Sequence, residues 1–201
     1  MKFTQAIFSS LAAVSSVAAH GSFQQLWVNG VDQTDTCANK VSGNSPLWNV
    51  ATSSIACNLY STASAKCTVP AGATVDVEMH QQYNDRDCAN AAIGGNHDGP
   101  VLVYMAKWVF NFHSSSGEAD DEILRVDDAL SANPNTANWF KVAELGLIKT
   151  DYWGTDSLNA NCGRLAFKVP ECIPSGDYLI KAEGKPVLSP SKNLTDRLFT
   201  Y

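Results

Sequence analysis

The chain is short of positive charge. Its 201 residues carry 14 lysines and arginines against 20 aspartates and glutamates, for a formal net charge of −6. Nucleic-acid binding needs a field of Lys and Arg to displace counterions, so this balance argues against it. Long hydrophobic runs are lacking as well. Beyond the first 19 residues nothing approaches the roughly 18 consecutive apolar residues of a membrane-spanning helix. Helical periodicity is scarce, with one weak stretch at Asp127 to Ser131, and there is no internal repeat and no linker between two domains. Thirteen glycines, 8 prolines and 45% hydrophobic residues exclude a collagenous, disordered or coiled-coil chain.

What the chain does have starts with six cysteines, more than a short cytosolic protein usually keeps. The even count suggests three disulfides and an oxidising compartment. Met1-Lys2 forms a positive n-region, Ala6 to Val17 is mostly apolar, and Val17-Ala18-Ala19 offers small residues to a signal peptidase. Residues 1–19 are therefore expected to be a secretory signal, and the product to be secreted. Cleavage after Ala19 makes His20 the first residue of the mature protein.

The remainder alternates in short runs. In Thr74 to His80, Val75, Val77 and Met79 take one face while Asp76, Glu78 and His80 take the other. Tyr178 to Glu183 alternates likewise, and Pro100 to Met105 is apolar throughout, as a strand buried on both faces would be. Turn signals at Pro70-Ala71-Gly72 and Pro174-Ser175-Gly176 precede two of these runs. The pattern predicts an all-β fold, an antiparallel immunoglobulin/fibronectin-like β-sandwich with long loops.

Two of the four histidines attract a chemical reading. An N-terminal His20 joins a free amine and an imidazole on one short tether, a ready bidentate nitrogen chelate. His97 lies in the Gly-rich loop Gly94-Gly95-Asn96-His97-Asp98-Gly99-Pro100, where a ring can be held open to a ligand. Together they offer three neutral nitrogens, a set that favours copper over zinc, magnesium or calcium. An amine with an ordinary pKa of about 8 can lose its proton to a metal near neutral pH.

The chain resembles the fungal lytic polysaccharide monooxygenases of auxiliary activity family 9. The resemblance runs through His20-Gly21-Ser22-Phe23, Leu26-Trp27-Val28-Asn29-Gly30, His80-Gln81-Gln82 and Asp85-Arg86-Asp87-Cys88. It continues through Ala92-Ile93-Gly94-Gly95-Asn96-His97-Asp98-Gly99-Pro100-Val101, Trp139-Phe140-Lys141-Val142, Asp151-Tyr152-Trp153-Gly154-Thr155 and Ser175-Gly176-Asp177-Tyr178-Leu179. It implies one copper ion in a brace of His20 and His97, an external electron donor, and dioxygen or hydrogen peroxide as oxidant. The implied substrate is cellulose or another β-glucan surface, oxidised at C1 or C4 and broken by a monomeric enzyme that acts on neither nucleic acid nor membrane. His80 matches a position that is not a ligand and reads as a structural strand residue. Tyr152 and Trp153 read as buried sandwich aromatics, with stacking on sugar as the alternative.

Two stretches depart from the pattern. Residues 108–125 have no counterpart, so the family-like sandwich at 20–183 is expected to carry an insertion there. A surface hairpin is one account. An unspliced intron is the other, since Lys107-Trp108 can be encoded with a GT donor and Arg125 with an AG acceptor. Residues 184–201 form a non-family tail, with the sequon Asn193-Leu194-Thr195, where relatives continue into a strand with a histidine and then a Gln-x-Tyr segment. Read-through into an intron is the preferred account of this tail. The resemblance also matches Cys57 to a position whose partner lies beyond that break. Two other functions stay open: a non-catalytic copper- or carbohydrate-binding sandwich, and a glycoside hydrolase, which would need a pair of placed carboxylates.

Overall fold

A computed structural model describes residues 20–108, 130–187 and 199–200, apart from single positions 42, 48, 50, 57, 96 and 131. The expected signal at 1–19, nearly all of the expected insertion, the weak helical stretch except Leu130, and the sequon lie outside the described residues.

The described residues form twelve strands, in order β1 (Ser22–Val28), β2 (Val31–Asp32), β3 (Lys40–Val41), β4 (Leu59–Ser61), β5 (Thr74–His80) and β6 (Val101–Lys107). After them come β7 (Phe140–Leu145), β8 (Leu147–Lys149), β9 (Tyr152–Trp153), β10 (Arg164–Lys168), β11 (Tyr178–Gly184) and β12 (Phe199–Thr200). Among the described residues the one α-helix, α1 (Gly154–Ala160), sits between β9 and β10. The expected all-β sandwich is what forms. Two antiparallel four-stranded sheets, β10-β5-β1-β2 and β12-β11-β6-β7, are accompanied by the small pairs β3-β4 and β8-β9. The short helix is an element that strand alternation does not foretell.

The period-2 pattern explains the packing. Val75, Val77 and Met79 of β5 join Val101, Val103 and Met105 of β6 in one core with Phe23, Leu158, Phe167 and Ala182. Burial of each such side chain contributes about 1.5–3 kcal/mol. β6 is buried on its inner face, but Leu102 and Tyr104 are only half-covered outside, so the expected burial on both faces is not reached.

The polar face of β5 is buried too. Glu78 and His80 are each 2% exposed. The Glu78 carboxylate accepts from Nε and Nη2 of Arg86 at 2.6 and 2.7 Å, from the Trp27 indole N–H, and faces His80 Nε2 at 2.7 Å. Arg86 also reaches Asp32, and Arg164 pairs with Asp76 while stacking 3.9 Å from the Trp27 ring centre. Burial by itself would raise the Glu78 pKa. Hydrogen bonds from His80, Arg86 and Trp27, with the Arg86 charge, outweigh it and lower the value from 4.5 to about 2.

Among the described residues there are two disulfides, Cys37–Cys67 and Cys88–Cys162. Cys172 is free and exposed, so the expectation of three bridges from an even count does not hold. Cys57 lies outside the described residues.

Between the sheets, near β1 and β11, opens a cleft of about 440 Å³ lined by Phe23, Gln25, Val77, Met105, Tyr178 and Ile180. Gln25 is 6% exposed, and its side-chain oxygen has no hydrogen-bond partner among the described residues. β11 pairs with β6 along its full length, but with β12 only at Glu183 and Gly184. Among the described residues, the outer edge from Tyr178 to Ala182 therefore carries no further strand.

Candidate metal centre

One end of the sandwich gathers both predicted ligands. His20 is separated from β1 by Gly21 alone, and β1 pairs antiparallel with β5 so that Ser22 lies opposite His80. From His80 the chain leaves the sheet in a long loop, residues 81–100, that carries His97 and returns as β6. Gly21 runs close against this loop: a Cβ there would stand 2.6 Å from the Ala92 carbonyl oxygen, so only glycine admits the approach. The result is a contact that no local sequence rule supplies. The His20 and His97 rings lie with centroids 5.4 Å apart, edge to face at 61°.

The loop is fastened along its length. At its start, Gln24 Nε2 donates to the carbonyls of His80 and Gln82, and the Asn84 N–H donates to Gln24 Oε1. Farther on, the Cys88–Cys162 bridge ties it to the segment after α1, and the Ile93 N–H donates to Asn159 Oδ1 at 3.0 Å. At its end, Gly99 exchanges two bonds with Thr155. The Gly99 N–H reaches Thr155 Oγ1 at 3.0 Å, and the Thr155 N–H reaches the Gly99 carbonyl at 3.1 Å. On the opposite edge, Lys185 N–H donates to the Pro100 carbonyl and Val187 N–H to that of Asp98. A Cβ on Gly99 would come within 2.0 Å of the Lys185 carbonyl oxygen. The start of the tail thus packs against the histidine loop as an extension of β11.

The ring of His97 is itself oriented. Its Nδ1 lies 2.6 Å from the Gly94 carbonyl oxygen. A carbonyl only accepts, so this contact favours the tautomer with the proton on Nδ1, which turns a lone pair on Nε2 to whatever the ring faces. His80 is different. Its Nε2 is held by Glu78 and its ring is buried, which suits the structural role read from sequence.

These residues fit a copper ion. Two imidazoles converge from separate parts of the chain, one with its tautomer fixed by a backbone acceptor, as metal-ligating histidines usually are. Among the described residues no group of three or more His, Cys, Asp or Glu gathers. A third nitrogen would come from the amine of His20 once the preceding residues are removed. All-nitrogen donors of this kind suit copper.

The aromatic pair falls elsewhere than expected. Tyr152 and Trp153 are half-buried on the small β8-β9 hairpin and lie outside the sandwich core, with the Lys149 ammonium 4.7 Å from the Tyr152 ring centre. Leu147 and Ile148 beside them are exposed. Sequence reading missed the supporting contacts from Thr155 and Asn159. Their four-residue spacing on α1 was visible, but their partners lie some sixty positions away in the chain.

Comparison with known proteins points to one family. The model of Auxiliary Activity family 9 (formerly GH61) matches residues 20–184. A family 9 lytic polysaccharide monooxygenase from Trametes coccinea is 51% identical over 185 residues, covering 90% of this chain and 60% of that protein. Monooxygenase B of the same family from Thermothielavioides terrestris is 44% identical over 190 residues, covering 90% of this chain and 52% of its own. The chain thus spans only a little over half the length of these relatives. Among solved structures, CvAA9A superposes with a TM-score of 0.66 at 21% identity, over 90% of this chain and 75% of the other. Cel61B from Hypocrea jecorina gives 0.66 at 16%, over 90% and 78%. At these identities the two structures establish a shared fold.

Proposed function

The chain belongs to Auxiliary Activity family 9, and from that membership we propose that it acts as a secreted, copper-dependent lytic polysaccharide monooxygenase with His20 and His97 as its metal ligands. The observation that carries this reading is the meeting of the two rings at 5.4 Å, with His97 Nδ1 engaged by Gly94. Copper, when bound, supplies one-electron redox chemistry with dioxygen or hydrogen peroxide, fed by an external electron donor.

The protein's own part is binding and orientation. His20 holds the metal through its ring and, after cleavage behind Ala19, through its amine. The carbonyl of Gly94 keeps the proton on Nδ1 of His97, so that Nε2 is the ligating atom. Neither ligand is a carboxylate, so the site brings no negative charge of its own to the ion. The substrate we assign is cellulose or a related β-glucan, oxidised at C1 or C4.

The test is direct. Protein processed to begin at His20 is loaded with copper and incubated with cellulose and ascorbate. Aldonic-acid or C4-ketoaldose oligosaccharides are expected, falling to background in His97→Ala. Copper binding with no oxidised product overturns the enzyme reading in favour of a binding protein. Unoxidised sugars released without reductant would mean hydrolysis instead.

A further inference from the structure

The helix α1 holds the β5–β6 loop on both sides of His97. Thr155 and Asn159 stand four residues apart, hence on one face of the helix. Asn159 Oδ1 accepts from the Ile93 N–H at 3.0 Å, upstream of the histidine. Thr155 Oγ1 accepts from the Gly99 N–H at 3.0 Å, downstream of it, and the Thr155 N–H returns a bond to the Gly99 carbonyl. One residue on from Ile93, Gly94 supplies the carbonyl that receives His97 Nδ1. One rigid turn of helix therefore fixes the two ends of the segment holding both the ring and the acceptor that sets its tautomer.

We propose that Thr155 and Asn159 are positioning residues that set the orientation and tautomer of His97 through Gly99 and Ile93. This rests on the assignment of His97 as a ligand. Neither side chain touches the imidazole. Thr155 is 2% exposed, so its hydroxyl has no water to replace Gly99 as a partner. α1 is seated in the core by the fully buried Leu158, and its first turn is closed by the Trp153 N–H donating to Asp156 Oδ2 at 2.7 Å. The Cys88–Cys162 bridge and the pairing of Lys185 and Val187 with 98–100 fix the loop's path. The two helix contacts act on the stretch between those anchors. Partners one step removed from a metal ligand typically change affinity or activity by about 10–100-fold.

The experiment compares Thr155→Val and Asn159→Ala, which remove the acceptors, with Thr155→Ser and Asn159→Asp, which keep them. All begin at His20. In the metal-free proteins, long-range proton–nitrogen NMR of the His97 ring reads the tautomer. Calorimetric titration with Cu(II) and the Cu(II) electron paramagnetic resonance spectrum read the loaded site, and thermal unfolding is followed in parallel. The unsubstituted protein is expected to show a single Nδ1-protonated His97. The Val and Ala variants are expected to show mixed tautomers, shifted spectra and roughly 10-fold weaker copper binding. The Ser and Asp variants should recover all three. Wild-type tautomer and affinity in both Thr155→Val and Asn159→Ala, whatever their melting temperatures, overturn the proposal. Should Thr155→Val not fold, half-exposed Asn159 still decides it. If the unsubstituted protein binds no copper, the ligand assignment fails, while the metal-free tautomer still tests the helix contacts.

Discussion

At the scale of single residues, Glu78 is the most consequential group outside the candidate metal centre. It is nearly inaccessible, yet it is charged, because four hydrogen-bonding groups surround it. Its folded pKa of about 2 lies below the ordinary 4.5. A depressed carboxyl contributes stability that is fully present above about pH 4.5 and is lost as pH falls towards 2. Urea unfolding across that window should show falling stability, and Glu78→Gln should flatten that part of the profile. At pH 7 the same substitution should cost about 3 kcal/mol or more, because it leaves a partly buried Arg86 with only Asp32. The sequence placed Glu78 on the polar face of a strand correctly. It did not reveal that Trp27, Arg86 and Arg164 bury this face. Alternation is written in neighbouring residues, while the cover comes from elements far along the chain. Gln25 presents the opposite case. Its buried side-chain oxygen has no partner among the described residues, a situation that costs about 1–3 kcal/mol. Gln25→Leu, facing a mostly apolar cleft, should raise the melting temperature, and a lowered one would contradict this account.

At the scale of elements, the loop between β5 and β6 matters most. It is long and has few apolar anchors, yet it must hold one histidine still. The covalent tie Cys88–Cys162 closes it onto the helix segment. Replacing both cysteines with serine should cost about 2–5 kcal/mol in chemical denaturation. It should also speed amide exchange between Ile93 and Gly99 more than in β5 or β6. Equal acceleration everywhere would mean that the bridge acts on the whole fold and not on the loop. Three strands were legible almost to their ends. Thr74–His80 matches β5, the apolar run begins within a residue of β6, and Tyr178–Glu183 is β11 less its last residue. The first and third alternate with a period of two, and the second is apolar throughout. The helix was not legible, since Gly154-Thr155-Asp156 favours turns and caps as readily as a helix. What stabilises α1 is Leu158, buried in a core built by distant strands.

At the scale of the whole molecule, metal binding and chain processing should be linked. A ligand present at a hundred times its dissociation constant stabilises a fold by about 2.7 kcal/mol. For a domain of this size that corresponds to a rise of roughly 5–10 °C in melting temperature. Copper should produce such a rise in protein that begins at His20, and chelation should reverse it. Protein retaining even one residue before His20 should show much less, because its amine is spent in a peptide bond. Equal shifts in both forms would remove the amine from the ligand set. By itself, the sequence determined the fold class, the main strands, the acidic surface and the identity of the two candidate ligands. All of these follow from composition and from patterns spanning a few residues. Only the tertiary structure decided that His20 and His97 meet, that His97 turns Nδ1 to Gly94, and that Thr155 and Asn159 stand behind its loop. It also decided that Cys172 is left unbridged. These are contacts between chain segments far apart in sequence, fixed by strand register and core packing, for which no local pattern of residues encodes the partner.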